Sequence, residues 1–188
     1  LVSSIMLKGE LIYWKISLKK IGCDTELDEA MKNKLARWET NLPSYLTTKR
    51  SLVKHREIDS IELHAFGDAS GEGVSSAVCA VIRQQSKVTQ GLVAARSRLA
   101  KQGLTIPRLL LVSADMAPNL ISNVERALDR FAITVTQGWL DSTVPLHWIN
   151  GRGEYKQFNA NRIQKTKFNP KIKWHHVPTD KNPADKKL

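Results

Sequence analysis

Along the first 45 residues, apolar side chains return every three or four positions, the spacing that gathers them on one side of a helix. "LKGELIYWKISLKKIG" and "LDEAMKNKLARWETNL" are the two helices predicted there, with Leu27, Met31, Leu35 and Trp38 as the apolar face of the second. Trp14 and Trp38 read as packing residues. The helical segment ends near Pro43, and residues 46–59 read as a linker into a different texture. From residue 60, "SIELHAF", "VSSAVCAVI" and "KVTQGLVAARS" predict three successive strands separated by turns, an antiparallel meander. "TIPRLLLVSADMAPNLISNVERALDRF" then shifts to helical period, with Leu110, Ala114, Ala117, Ile121, Val124 and Leu128 along one stripe. Pro107 suits that helix's first turn, whereas Pro118 predicts a kink or a break into two pieces. "FAITVTQGWLDST" predicts a fourth strand ending at Asp141. Helices around "STVPLHWIN" and "YKQFNANRIQKTKF" follow, then a fifth strand in "KIKWHHV". This order predicts an α/β fold: a five-stranded mixed sheet flanked by helices, with a small N-terminal helical segment.

At 188 residues and 41 % apolar content, the chain can bury one substantial core. Lys and Arg number 29 against 18 acidic residues, a net charge of +11 that favours a polyanionic partner. The excess concentrates at the end: residues 151–188 hold 10 Lys or Arg and three acidic residues. Arg152, Lys156, Arg162, Lys165 and Lys167 are the candidate phosphate contacts, against the plain alternative of a solvated charged face. The two cysteines, Cys23 and Cys79, have neither metal-ligand spacing nor a disulfide pattern, which favours a reducing compartment. No apolar run is long enough to span a membrane, so the chain reads as soluble and without a membrane partner.

Candidate chemistry begins at "FGDASGEG", where Asp68 closes an otherwise apolar strand. A lone buried carboxylate is costly, so Asp68 must be solvated, held by a turn amide, or neutralised by a cation. Asp141 falls at the end of the fourth strand; if the two strands pair, the carboxylates become neighbours. Like charges so placed favour a hard cation such as Mg²⁺, and Asp185 in "KNPADKKL" is a third oxygen ligand. A helix facing Asp68 should supply a fourth acidic group, but Leu110 stands at the useful position. Asp115, five residues on, lies about 140° round the helix and reads as solvent-facing. Glu72 and Glu125 are weaker substitutes. His175 and His176 flank the same end of the sheet, either as packed or exposed residues or as proton carriers or phosphate contacts. No histidine or cysteine spacing points to zinc.

"LHAFGDAS", "AARSRLAKQGLTIPRLLL", "GWLDSTVPLHWI", "FNANRI" and "WHHVPTDKNPAD" resemble, in this order, the ribonuclease H region of BEL/Pao-type long-terminal-repeat retrotransposon polyproteins. The opening residues resemble the connection segment between the reverse transcriptase and that region. The resemblance implies a 1–45 connection segment, a 46–59 linker, and a 60–188 ribonuclease H-like domain lacking its last helix. It implies Asp68, Asp141 and Asp185 as catalytic and metal-binding carboxylates, with Mg²⁺ or Mn²⁺ as cofactor. Leu110 occupies the family's glutamate position in the pattern "PRLEL", which implies weakened metal binding and turnover. Cys23 stands where a tryptophan is usual. The implied partners are an RNA-DNA hybrid or other nucleic acid and an upstream reverse transcriptase domain. The implied location is cytoplasmic, with a later nuclear step as the alternative.

Two readings compete on these grounds: a metal-dependent endonuclease cleaving RNA in RNA-DNA hybrids, weakened or silenced at Leu110, and a noncatalytic nucleic-acid-binding or structural module. The family also carries a peptidase label. An aspartic peptidase needs Asp, then Thr or Ser, then Gly, which neither "DASG" at 68–71 nor "DST" at 141–143 supplies.

Overall fold

The computed structural model describes residues 2–45 and 58–185, so most of the expected 46–59 linker lies outside the described residues. The chain forms two compact units, one holding the two N-terminal helices and the other all five strands.

In the first unit, the two expected helices form, α1 (Val2–Leu18) and α2 (Glu29–Thr40), and they pack on each other. Asp28 caps α2, its side chain accepting from the Met31 amide at 2.8 Å, which satisfies one orphan N–H of the first turn. Met31 is buried and Leu27, Leu35 and Trp38 are partly buried, the stripe read from the sequence. Trp38 Nε1 donates to the Ile5 carbonyl at 2.9 Å. Gly9 admits the indole, since a Cβ there would stand 2.4 Å from the Trp38 ring.

The second unit begins with β1 (Ser60–Ala69), β2 (Gly73–Gln84) and β3 (Lys87–Leu99), the predicted antiparallel meander. Helix α3 (Ile106–Ala127) crosses over to β4 (Ile133–Leu140), which runs parallel to β1. Then come α4 (Thr143–Asn150), α5 (Gln157–Thr166) and β5 (Lys173–His176), parallel to β4, and a short 3₁₀ turn at Thr179–Lys181. The sheet order β3-β2-β1-β4-β5 is the five-stranded mixed sheet flanked by helices that the pattern predicts.

Strand alternation sorts β1 into two faces. Ile61, Leu63 and Ala65 are buried and join Leu111, Ala114, Ala117 and Ile121 of α3 in the main core. Glu62, His64, Phe66 and Asp68 occupy the other face. There Trp139 Nε1 donates to His64 Nδ1 at 3.2 Å, His64 Nε2 is hydrogen-bonded to the Glu62 carboxylate at 3.3 Å, and Arg83 Nε donates to the same carboxylate at 2.7 Å. This chain of bonds ties β4 to β1 and β2. The Arg83 bond, then the His64 bond, holds the Glu62 carboxyl below the usual range against its partial burial.

One sequence expectation needs correction. Helix α3 runs through Pro118 without a break. Proline there removes the bond to the Ala114 carbonyl, a cost of roughly 3 kcal/mol in an isolated helix. Pro118 is fully buried, as are Ala114 and Ile121, and tertiary packing holds the helix together where local propensity would end it.

Gly138 is set by the β4–β5 pairing, opposite Trp174. A Cβ at Gly138 would lie 2.6–2.8 Å from three atoms of the indole, a rigid ring inside the core. Gly138→Ala is therefore expected to destabilise the domain by about 1–3 kcal/mol through overpacking. Chemical denaturation checks this, and an unchanged midpoint would contradict the packing described.

Candidate functional site: a carboxylate pair at the strand ends

The parallel register of β1 and β4 pairs Phe66 with Trp139 and Gly67 with Leu140. Asp68 follows on β1 and Asp141 comes directly after the last residue of β4, so the two aspartates are carried to the same end of adjacent strands, which lie about 4.8 Å apart. Both residues are partly buried. Asp185 approaches from the C-terminal arm and is exposed. Its neighbour Ala184 accepts at its carbonyl from Ser75 Oγ at 3.3 Å, and Ser75 is the β2 residue directly opposite Asp68.

Asn182 fastens this arm and was missed in reading the sequence. It is buried; its Nδ2 donates to the Gly67 carbonyl at 3.0 Å, and its Oδ1 accepts from the Ala184 amide at 3.0 Å. An asparagine before proline just upstream of an aspartate was the available signal: the amide offers both a donor and an acceptor to ordered backbone.

The electrostatics follow from the placement. Burial raises the Asp68 carboxyl above the ordinary aspartate value; the Ala69 amide opposes the rise, and the charges of Asp141 and Asp185 add to it. Asp68 thus feels the charges of both other carboxylates. An all-oxygen anionic donor set fits a hard divalent cation in kind. It does not fit as a ready-made cage, because among the described residues no three His, Cys, Asp or Glu side chains form a group that could hold a metal ion.

Leu110, the position singled out in the sequence, lies in the first turns of α3. The meander runs β3 to the end of the sheet where β1 finishes, so α3 starts beside the carboxylates. Ser113 abuts Gly67, where a Cβ would stand 2.5 Å from the hydroxyl, and Ser113 Oγ donates to the Leu110 carbonyl at 2.7 Å. Leu110, one turn earlier, is 4 % exposed and belongs to neither of the two apolar clusters among the described residues. It is a buried hydrophobic side chain of α3.

Asp115 overturns its expectation. It is buried rather than solvent-facing, and it ion-pairs with Arg162 of α5. The helical turn that points Asp115 away from the Leu110 direction points it at α5, which packs along α3. Arg162 is thereby committed to Asp115 and to the Phe158 ring, 5.6 Å away. The other basic candidates are dispersed. Lys165 lines the same cavity as Arg162, Arg152 and Lys167 line a second, and Lys156 precedes the first turn of α5. His175 and His176 are exposed, and His175 rests on Trp139 with ring centroids 5.0 Å apart. Glu72 lies in the exposed β1–β2 turn, and Glu125 near the far end of α3.

Two outcomes are expected. Asn182→Ala strips partners from the Gly67 carbonyl and the Ala184 amide and should cost about 1–3 kcal/mol, read by denaturation; no loss would mean the arm is not held this way. A carboxyl whose pKa is raised on folding binds more protons in the native state, so stability falls as pH rises from the ordinary aspartate value through the raised one. In chelator, Asp68→Asn should therefore be more stable than the parent at neutral pH, the gain vanishing as pH drops below the ordinary aspartate range. A gain that persists in acid would contradict this.

The family model of the Pao retrotransposon-like RNaseH-like domain matches residues 1–142, a span that includes Asp68, Leu110 and Asp141. No curated protein matches the chain by sequence. Among solved structures, a foamy viral protease-reverse transcriptase in complex with double-stranded DNA is similar with a TM-score of 0.52 and 16 % identity, over 90 % of this chain and 28 % of that one. RNase H1 from the halophilic archaeon Halobacterium salinarum gives 0.43 and 14 %, over 66 % and 90 % of the two chains. LC11-RNase H1 in complex with an RNA/DNA hybrid gives 0.42 and 16 %, over 68 % and 92 %. At such identities the first likeness speaks for the fold alone. With the family match running from the N-terminal helices through the fourth strand, the chain belongs to the Pao retrotransposon-like RNaseH-like domain family.

Proposed function

We propose that this chain is the ribonuclease H-like part of a BEL/Pao-type retroelement polyprotein, built to engage RNA-DNA hybrids next to a reverse transcriptase domain, with RNA hydrolysis weakened or lost at Leu110. The observation that carries this reading is the neighbouring placement of Asp68 and Asp141 at the ends of paired parallel strands. The charge of Asp185 reaching Asp68 supports it further. The foamy viral structure similar to this chain is that of a protease-reverse transcriptase in complex with double-stranded DNA, which is consistent with a place beside a reverse transcriptase.

Asp68 and Asp141 would be the principal ligands of a Mg²⁺ or Mn²⁺ ion in this reading, and Asp185, on the arm that Asn182 fastens, would be a third. The bound ion supplies charge neutralisation and an activated water for attack on the RNA phosphodiester. The protein's own residues hold the carboxylates side by side, partly out of water, so that their repulsion is relieved when a cation enters. Leu110 contributes no ligand and no acceptor for a ribose hydroxyl. That deficit favours the second reading, a noncatalytic hybrid-binding module, in proportion to how completely hydrolysis depends on the missing group.

Leu110→Glu separates the two. It should raise Mg²⁺-dependent cleavage of a labelled RNA-DNA hybrid at least tenfold, equivalent to about 1.4 kcal/mol of transition-state stabilisation. In chelator the variant should be less stable than the parent, because a carboxylate replaces a buried leucine, and Mg²⁺ should restore part of the loss. Asp68→Asn serves as the control for contaminating nuclease. Equal strong activity of parent and variant would show Leu110 to be no defect. A folded Leu110→Glu protein that binds hybrid without cutting it would establish the noncatalytic reading.

A further inference from the structure

We propose that the cleft between β3, α3 and α5 is a second nucleic-acid site, one that takes a single strand. The cleft has a volume of about 450 Å³ and lies two strands away from β1. Arg96 and Arg98 of β3 line one wall and Lys165 of α5 the other. Both arginines are exposed and, being two residues apart, lean to the same side of the edge strand. Among the described residues neither has a carboxylate partner. The single acidic group in the lining, Asp115, is already neutralised by Arg162. A surplus of three positive charges therefore lines a concavity with no carboxylate left to offset it, an arrangement that favours a polyanion between the walls.

The rest of the lining selects the kind of anion. Asn119 of α3 and Gln164 of α5 offer amide donors and acceptors of the sort that pair with base edges, and Asn123, whose Oδ1 accepts from Arg126, offers its amide donors. Phe168, just past α5, lines the cleft and is 79 % exposed, a free ring face beside the cations. Cations for phosphates, amides for base edges and an open aromatic for stacking together suit unpaired nucleotides. A duplex keeps its base faces stacked inside and offers a concave cleft only its backbone. Arg162 serves as a positioning residue, clamped by Asp115 and fixing α5 against α3. The site does not rest on hydrolysis at the carboxylates, and it would serve to hold a single-stranded segment flanking a hybrid.

The test is fluorescence anisotropy of the full chain with labelled single-stranded oligonucleotides, one of DNA and one of RNA, and with a blunt RNA-DNA hybrid. Arg96→Ala/Arg98→Ala should weaken single-strand binding at least tenfold and lower the salt slope by about 0.7 for each arginine removed. Phe168→Ala should weaken it about fivefold or more with the salt slope unchanged. Both variants should keep the parent's melting temperature and its affinity for blunt hybrid. A difference between the two oligonucleotides would identify the sugar the cleft prefers. Single-strand affinity unmoved in both variants, or an equal loss for single strand and blunt hybrid, would overturn the proposal. Loss of hybrid binding in Asp68→Asn with single-strand binding intact would bear on the carboxylate site alone.

Discussion

Two strands separated by the whole meander and a 22-residue helix must lie side by side and run the same way for this domain to exist, and the β1–β4 pairing is where that demand is met. Parallel neighbours need a crossover, and α3 can lie close over the sheet because Gly67 has no side chain to collide with Ser113 and Leu140. The main core is the direct result, with Ile61, Leu63 and Ala65 of β1 and Leu140 of β4 under the apolar stripe of α3. The carboxylate pair is the other result. Any register that buries those side chains also sends Asp68 and Asp141 out at the same end. Their repulsion is small beside the apolar burial that fixes the register, so the fold tolerates it.

Much of this was legible in the sequence because periodicity reports directly on faces. The change from helical to alternating spacing near residue 60 separated the two units, and the stripe from Leu110 to Leu128 announced the crossover helix. Asp68 and Asp141 stood out as charges ending apolar strands. What was not legible depends on contacts between elements distant in the chain. The angle between Leu110 and Asp115 showed that Asp115 turns away from Asp68, but not that α5, 47 residues later, would be there to meet it with Arg162. Pro118 carries a strong local signal for a break, overridden by burial against neighbours that no local window contains. Asn182 acts across 115 residues to reach Gly67. Arg96 and Arg98 were ordinary strand charges until α3 and α5 supplied the other walls of their cleft.

Leu110 shows how stability and chemistry pull in opposite directions at one position. A leucine closed in beside the strand ends removes apolar surface from water, whereas a glutamate in the same place would add a fourth negative charge to a site that already raises Asp68. Without metal, leucine is the more favourable choice for the fold. With metal, the carboxylate returns its cost through coordination. The sheet of an RNase H-like domain is therefore compatible with a leucine at this position whether or not the chain hydrolyses RNA.

The central claim is that β1 and β4 deliver Asp68 and Asp141 to one cation. Crystals grown or soaked with Mn²⁺ and measured at the manganese absorption edge test it most directly. The account predicts an anomalous peak bridged by the carboxylates of Asp68 and Asp141 and absent from Asp68→Asn crystals. A peak elsewhere with these two carboxylates unliganded, or the two side chains more than about 10 Å apart where adjacent strands should hold them close, would contradict it.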